Sequence, residues 1–245
     1  MSIKSIEAIR LDKVKQQKQE FILEKIIPFP KHTLGMIASE GGMGKSMLSL
    51  LMAIEHINET GESVGCYFTE DEAPFVKDRY HTLVNNGLAE KTDETKLFLV
   101  TTPPMQLARV EKGVFVANYE ALSDIRCWCV DNNIKLLIMD NLISFYGGNE
   151  NDNSQSRIFM QPFIETCKQD GITIIFIHHA SKPDAEGKTR TRGAGGFKDA
   201  VRCCYELHYP TKKEGSKNIP DVVDDGQLIL NFYLVDTSDL YYIIG

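Results

Sequence analysis

Residues 33–46 read Thr33-Leu-Gly-Met-Ile-Ala-Ser-Glu-Gly-Gly-Met-Gly-Lys-Ser46. The apolar run at 34–38 predicts a strand, the glycines a tight turn, and the apolar run at 47–57 a helix. Strand, glycine-rich turn, Lys-Ser and helix form the layout of a phosphate-binding loop, or Walker A motif. Backbone N–H groups of such a loop and of the helix start converge on one point, where they can surround phosphate oxygens. Gly41, Gly42 and Gly44 permit backbone angles and close approach that a Cβ would forbid. The candidate nucleotide-binding stretch is therefore Ser39, Glu40, Gly41, Gly42, Met43, Gly44, Lys45, Ser46 and Met47. In it Lys45 supplies a cation for the β- and γ-phosphates, and the Ser46 hydroxyl is a ligand for Mg²⁺. The usual pattern opens on glycine; here Ser39 takes that place, which the loop tolerates if its backbone angles stay ordinary.

Around this motif, 245 residues with 42% hydrophobic content suit one α/β domain of roughly 200–250 residues. We read it as residues 21–245, preceded by a charged, loosely amphipathic arm at 1–20 that is a short helix or a mobile segment. A net charge of −7 argues against coating nucleic acid by bulk charge and leaves only local basic patches for such contact. The six cysteines include no C-x-x-C pair and no zinc spacing, so they read as reduced core thiols of a cytoplasmic protein. Cys127 and Cys129 fall on one predicted helix and point in different directions. No opening segment resembles a signal peptide, and no apolar run approaches the ~18 residues of a membrane span.

Residues 21–29 are apolar and predicted to lie on the core. Further strands are expected at 64–68, 97–100, 136–140, 172–177, 201–207 and 228–235, the last two pairing at the sheet edge. Helices are expected at 73–85, with Pro74 in the first turn, at 116–130, and at 159–168, started or kinked at Pro162. Residues 147–156 and 181–196 read as loops, the second basic and glycine-rich. Alternation of strands and helices predicts a mainly parallel sheet covered by helices on both faces, with a small antiparallel edge at the C-terminal end.

Ligands bind such sheets outside the carboxyl ends of the strands, and polar groups stand at three of those ends. Asp140 follows four apolar residues in a Walker B pattern, placed to hold Mg²⁺ directly or through water. Glu70 follows the 64–68 strand and can accept a proton from water attacking the γ-phosphate, or orient that water; Asp71 and Glu72 compete for the role. His178 and His179 end the 172–177 run. One is a candidate for contact with the γ-phosphate and the other for a local hydrogen bond. The segment 182–198 carries Lys182, Lys188, Arg190, Arg192 and Lys198, cations suited to a nucleic-acid backbone or a neighbour's nucleotide, or simply to a solvated loop.

Ile37-Ala-Ser-Glu-Gly-Gly-Met-Gly-Lys-Ser-Met-Leu48, Phe68-Thr-Glu-Asp-Glu72, Leu137-Ile-Met-Asp-Asn141 and Phe176-Ile-His-His-Ala-Ser-Lys182, followed by Arg192-Gly193, together resemble the RepA-type plasmid replicative helicases among the RecA-like ATPases. The resemblance spans residues 21–242. It implies a RecA-like core assembling as a ring, usually a hexamer, with ATP between subunits. By the same resemblance Lys45 and Ser46 hold phosphate and Mg²⁺, Asp140 is the Walker B acid, Glu70 is the catalytic carboxylate and His179 is the γ-phosphate sensor. Arg192 is the arginine finger offered to the neighbour's ATP, and single-stranded DNA is the expected partner.

Two departures accompany it. Of the two loops that would line the channel, 147–156 is acidic and Asn-rich, so DNA contact would fall on 182–191. The run Leu234-Val-Asp-Thr-Ser-Asp239 is acidic where the family tends to carry a basic residue. A DNA helicase or translocase of a mobile element is thus the first expectation. A RecA-like regulatory or loader switch without unwinding activity is the second. A nucleotide kinase would need an arginine-bearing lid and an acceptor pocket, and the sequence shows no clear candidate for either.

Overall fold

The computed structural model describes residues 8–179 and 194–208, and the backbone path of strands at 211–214, 217–220, 228–234 and 237–244. Eight strands build the central sheet: β1 (Leu34–Ser39), β2 (Ser63–Phe68), β3 (Leu97–Val100), β4 (Ile134–Asp140), β5 (Thr173–His179), β6 (Cys203–His208), β7 (Leu228–Leu234) and β8 (Thr237–Ile244). Their order is β8-β7-β6-β1-β5-β4-β2-β3. The strands from β6 to β3 run parallel, and β7 and β8 add an antiparallel edge. Helices α1 (Lys45–Thr60) and α2 (Ala73–Asn85) cover one face; α3 (Tyr119–Asp131) and α5 (Asn153–Asp170) cover the other, with the short α4 (Leu142–Phe145) and α6 (Ala194–Ala200) beside them. This is the α/β, RecA-like P-loop NTPase fold.

Burial on both faces explains the uninterrupted apolar runs. Every residue of β1 is buried. Along β5 the side chains alternate between two cores. Ile175 and Ile177 pack with Leu50, Ile54 and Val64 beneath α1, while Ile174 and Phe176 pack with Phe159 and Phe163 of α5. Ile22, Leu23, Ile27 and Phe29 close the first core from the N-terminal side. Five of the six cysteines are buried and Cys127 is exposed, on the opposite side of α3 from Cys129. Residues 8–20 are exposed and carry one 3-10 turn, Leu11–Lys13.

Two expectations are corrected. The helix expected at 116–130 begins only at Tyr119, where the Asn118 side chain accepts the Ala121 N–H. Before it lies a hairpin, Ala108–Glu111 against Val114–Ala117. Its turn residues Lys112 and Gly113 have φ of 49° and 81°, the left-handed pair a two-residue turn requires. The loop expected at 147–156 ends early because α5 starts at Asn153. The Asp152 carboxylate accepts the N–H groups of Ser154 (2.9 Å) and Gln155 (3.2 Å), so part of the acidic, Asn-rich composition is helix-capping chemistry. Pro162 lies inside α5, which continues to Asp170; the carbonyl its ring leaves unpaired belongs to exposed Ile158.

Candidate nucleotide site

Parallel order and register bring the strand ends together. His179 pairs with Ser39, and Asp140 lies level with both Ile177 and Phe68. A cleft of about 360 Å³ opens at this edge, lined by Gly42, Lys45, Ser46, Glu70, Asp140 and His179, with Asp71 and Arg79 at its side.

The loop from β1 to α1 forms one wall. Gly42 and Gly44 have φ of 78° and 73°, where a side chain would be strained. A Cβ built on Gly41, Gly42 or Gly44 would meet no atom within 4 Å, so space stands open over the loop's backbone. Ser39 is not among the residues with positive φ, and its hydroxyl accepts a hydrogen bond from Lys45 Nζ at 3.0 Å. Lys45 is 5% exposed, and its ammonium also donates to the Ser39 carbonyl (3.1 Å) and the Glu40 carbonyl (2.6 Å). Burial lowers the Lys45 pKa, against the pull of Asp140, Glu70 and Glu40. Met43 is buried and Met47 half-buried in the same segment.

Ser46 Oγ donates to Asp140 Oδ2 at 2.7 Å. One hydroxyl beside one carboxylate, next to an open loop of backbone amides, fits a Mg²⁺ that keeps water and phosphate oxygens among its ligands. Burial raises the Asp140 pKa; the Ser46 bond, His179 and Lys45 oppose that rise, and Glu70 adds to it.

Glu70 reaches the cleft from the turn after β2. Its Oε1 accepts the Asn141 side-chain N–H at 2.5 Å. Asn141 Oδ1 in turn accepts the N–H (3.0 Å) and hydroxyl (2.9 Å) of Ser144. Thr69 N–H donates to the Asp140 carbonyl at 2.8 Å, and the Thr69 hydroxyl donates to Ser144 Oγ at 3.1 Å. The turn bearing Glu70 is thus tied to the turn after Asp140. Of its two competitors, Asp71 is held by the Arg79 guanidinium, and Glu72 is the exposed residue preceding α2.

His179 ends β5 at the cleft, on the side of Asp140. His178 points the opposite way, fully buried and packed on Phe197 with ring centroids 6.0 Å apart. Neither of its ring nitrogens has a hydrogen-bond partner among the described residues, so the local hydrogen bond expected for one of the pair is not found at His178. Burial, then the charges of His179 and Lys45, push its pKa down to about 4. Arg192 and the basic run at 182–191 lie outside the described residues.

A family model described as an AAA domain, AAA_25, matches residues 3–185. The chain belongs to this AAA-domain family. No curated protein matches it. As an AAA-domain P-loop protein the chain is an ATPase, of a class that generally uses ATP with Mg²⁺. The match takes in the loop at 39–47, Glu70, Asp140 and His179, and stops before Arg192 and the C-terminal strands. No helix among the described residues of this AAA-domain protein is long and apolar enough to cross a membrane.

Sequence reading missed Asn141, Thr69 and Arg79. The Asn141–Glu70 bond joins positions 71 residues apart, which no local pattern encodes. Asn141 carried one signal, a short side chain directly after the Walker B acid and before a helical turn. Arg79 carried another, an arginine on α2 eight residues after Asp71.

Proposed function

We propose that this ATPase is a ring-forming DNA helicase or translocase of a plasmid, phage or other mobile element. The observation that carries the reading is the convergence of Lys45, the Ser46–Asp140 pair, Asn141-held Glu70 and His179 on one open cleft. The step from ATPase to helicase is supported by the His178-His179-Ala180-Ser181-Lys182 run with Arg192, which resembles the RepA-type enzymes. Domain organisation follows the same reading, with an arm at 1–20 and the ATPase domain at 21–245.

In this reading Lys45 leaves its loop carbonyls for the β- and γ-phosphates, and the loop amides hold the remaining oxygens. Ser46 and Asp140 hold Mg²⁺, which when bound neutralises charge that builds up on the phosphates. Glu70, aimed by Asn141, takes the proton of the water that attacks the γ-phosphorus in line as the bond to ADP breaks. His179 contacts the terminal phosphate and reports its loss along β5. Arg192 reaches the site from the adjacent subunit, so hydrolysis depends on assembly.

One observation favours the second reading, a regulatory or loader switch that never moves along DNA. The connection at 148–152 is Gly-Asn-Glu-Asn-Asp, with no cation and no aromatic ring, and its Asp152 carboxylate caps α5. Turnover with and without a single-stranded oligonucleotide separates the two. Stimulation of several-fold supports the helicase; active turnover indifferent to DNA overturns it in favour of the switch.

A further inference from the structure

Arg79 is a second cation at the nucleotide cleft, supplied by the same chain as Lys45. It stands on α2 with its side chain about 33% exposed, and it lines the cleft beside Glu70 and Asp140. Asp71 grips it end-on: Nη1 donates to Oδ2 and Nη2 donates to Oδ1, the latter at 2.7 Å. A guanidinium has five N–H donors in one plane. Two are used here, and Nε–H and the second N–H on each terminal nitrogen have no partner among the described residues. The pair therefore fixes the plane of the guanidinium and leaves donors over. The hydrogen bonds to Asp71, and after them the charges of Asp71 and Asp140, hold Arg79 firmly in its charged form.

A tether that only pinned α2 to the preceding turn would need no site at the cleft. A planar fork whose orientation is set by a carboxylate, at the edge of a space shaped for a triphosphate, is suited to phosphate oxygens. We propose that Arg79, oriented by Asp71, binds the terminal phosphate of the bound nucleotide and lets the protein distinguish ATP from ADP within a single subunit. The proposal rests on the nucleotide reading of the cleft given above. The loop amides hold the inner phosphates, which both nucleotides share, and Lys45 spans the β- and γ-phosphates. Arg79 meets the phosphate that only ATP has. It differs from Arg192 in acting without a neighbour, so its contribution persists in a chain that has not assembled.

Calorimetric titration with Mg²⁺ present, using ADP and the β,γ-imido analogue of ATP, tests this on the full chain and on Arg79→Ala. Arg79→Gln replaces Arg79→Ala if the latter is unfolded by circular dichroism. The expected result is a loss of roughly 10- to 100-fold in affinity for the analogue, the weight of a charge-assisted hydrogen bond, with ADP affinity unchanged within error. Arg79→Lys, which keeps the charge and loses the fork, should recover part of that loss. Equal losses for both nucleotides would assign Arg79 a structural role and overturn the proposal, as would unchanged affinity for both. Failure of the unmodified protein to bind either nucleotide would instead overturn the reading of the cleft itself.

Discussion

Acid should weaken this fold in part through His178, and the size of that residue's share follows from its burial. The ring is fully buried, has no hydrogen-bond partner among the described residues, and has its pKa pushed down to about 4. An unfolded chain binds a proton there below the ordinary value of about 6.5. Between about 4 and 6.5 the unfolded state therefore holds more protons than the folded state. Stability rises with pH across that window and is lost as pH falls through it. At about 1.36 kcal/mol per pH unit, acidification to pH 4.5 removes about 3 kcal/mol, a large part of the stability of an ordinary domain. His178→Leu has similar volume and no proton to take up. Denaturant titrations of both proteins near neutrality and near pH 4.5 isolate the effect, because contributions from other groups cancel in the difference. The two stabilities should diverge by about 3 kcal/mol in favour of the variant as pH falls. A difference that stays constant across the window would refute the reasoning.

Further outcomes follow from the cleft and its surroundings. Lys45→Ala should reduce ATP hydrolysis to background in a phosphate-release assay; retained turnover would remove the phosphate-loop assignment. Glu70→Gln should still bind ATP while hydrolysing it ~10²–10⁴-fold more slowly. Asn141→Ala, which frees Glu70 without removing it, should cost kcat roughly tenfold, the weight of one hydrogen bond to a charge, and leave nucleotide affinity intact. Gly65→Ala would place its Cβ 2.7 Å from Trp128 and should destabilise by about 1–3 kcal/mol through overpacking. Adding Trp128→Leu should relieve that cost in a double-mutant cycle, and additive losses would show that the contact is not the cause.

The helix at Ala73–Asn85 and the strand at Leu97–Val100 have the ends their sequence predicts. Each is bounded by residues that punctuate: Pro74 in the first helical turn, Gly87 with φ of 71° after it, and Pro103-Pro104 beyond the strand. The helix expected at 116–130 takes in only the last two residues of the hairpin at 108–117, Val116 and Ala117, because they run directly into the apolar positions of α3. Only the Lys112-Gly113 turn gave the hairpin away. The start of α5 was missed because Asn149, Asp152 and Asn153 are loop formers by composition, although capping a helix draws on the same chemistry. The placement of Glu70, Asp140 and His179 at strand ends was legible. The partners that orient them were not, because Asn141, Ser144 and Arg79 meet the turn after β2 only in three dimensions.

That turn links two tasks usually treated separately. Asp140, the carboxylate bonded to Ser46, and Asn141, the amide bonded to Glu70, are adjacent residues. Any shift of Asp140 toward a cation must therefore move the group that aims the carboxylate placed to receive the proton. Thr69 strengthens the link from the other side. Its N–H is bonded to the Asp140 carbonyl, and its hydroxyl contacts both the Asn141 N–H and Ser144. With the roles proposed above for Asp140 and Glu70, metal binding and alignment of the base would be coupled through this turn. The coupling predicts that Ser144→Ala, which removes one anchor of Asn141 and touches neither phosphate loop nor Glu70, lowers kcat while leaving KM unchanged. A matched fall in affinity would mean that the turn supports binding, and that the two tasks are independent.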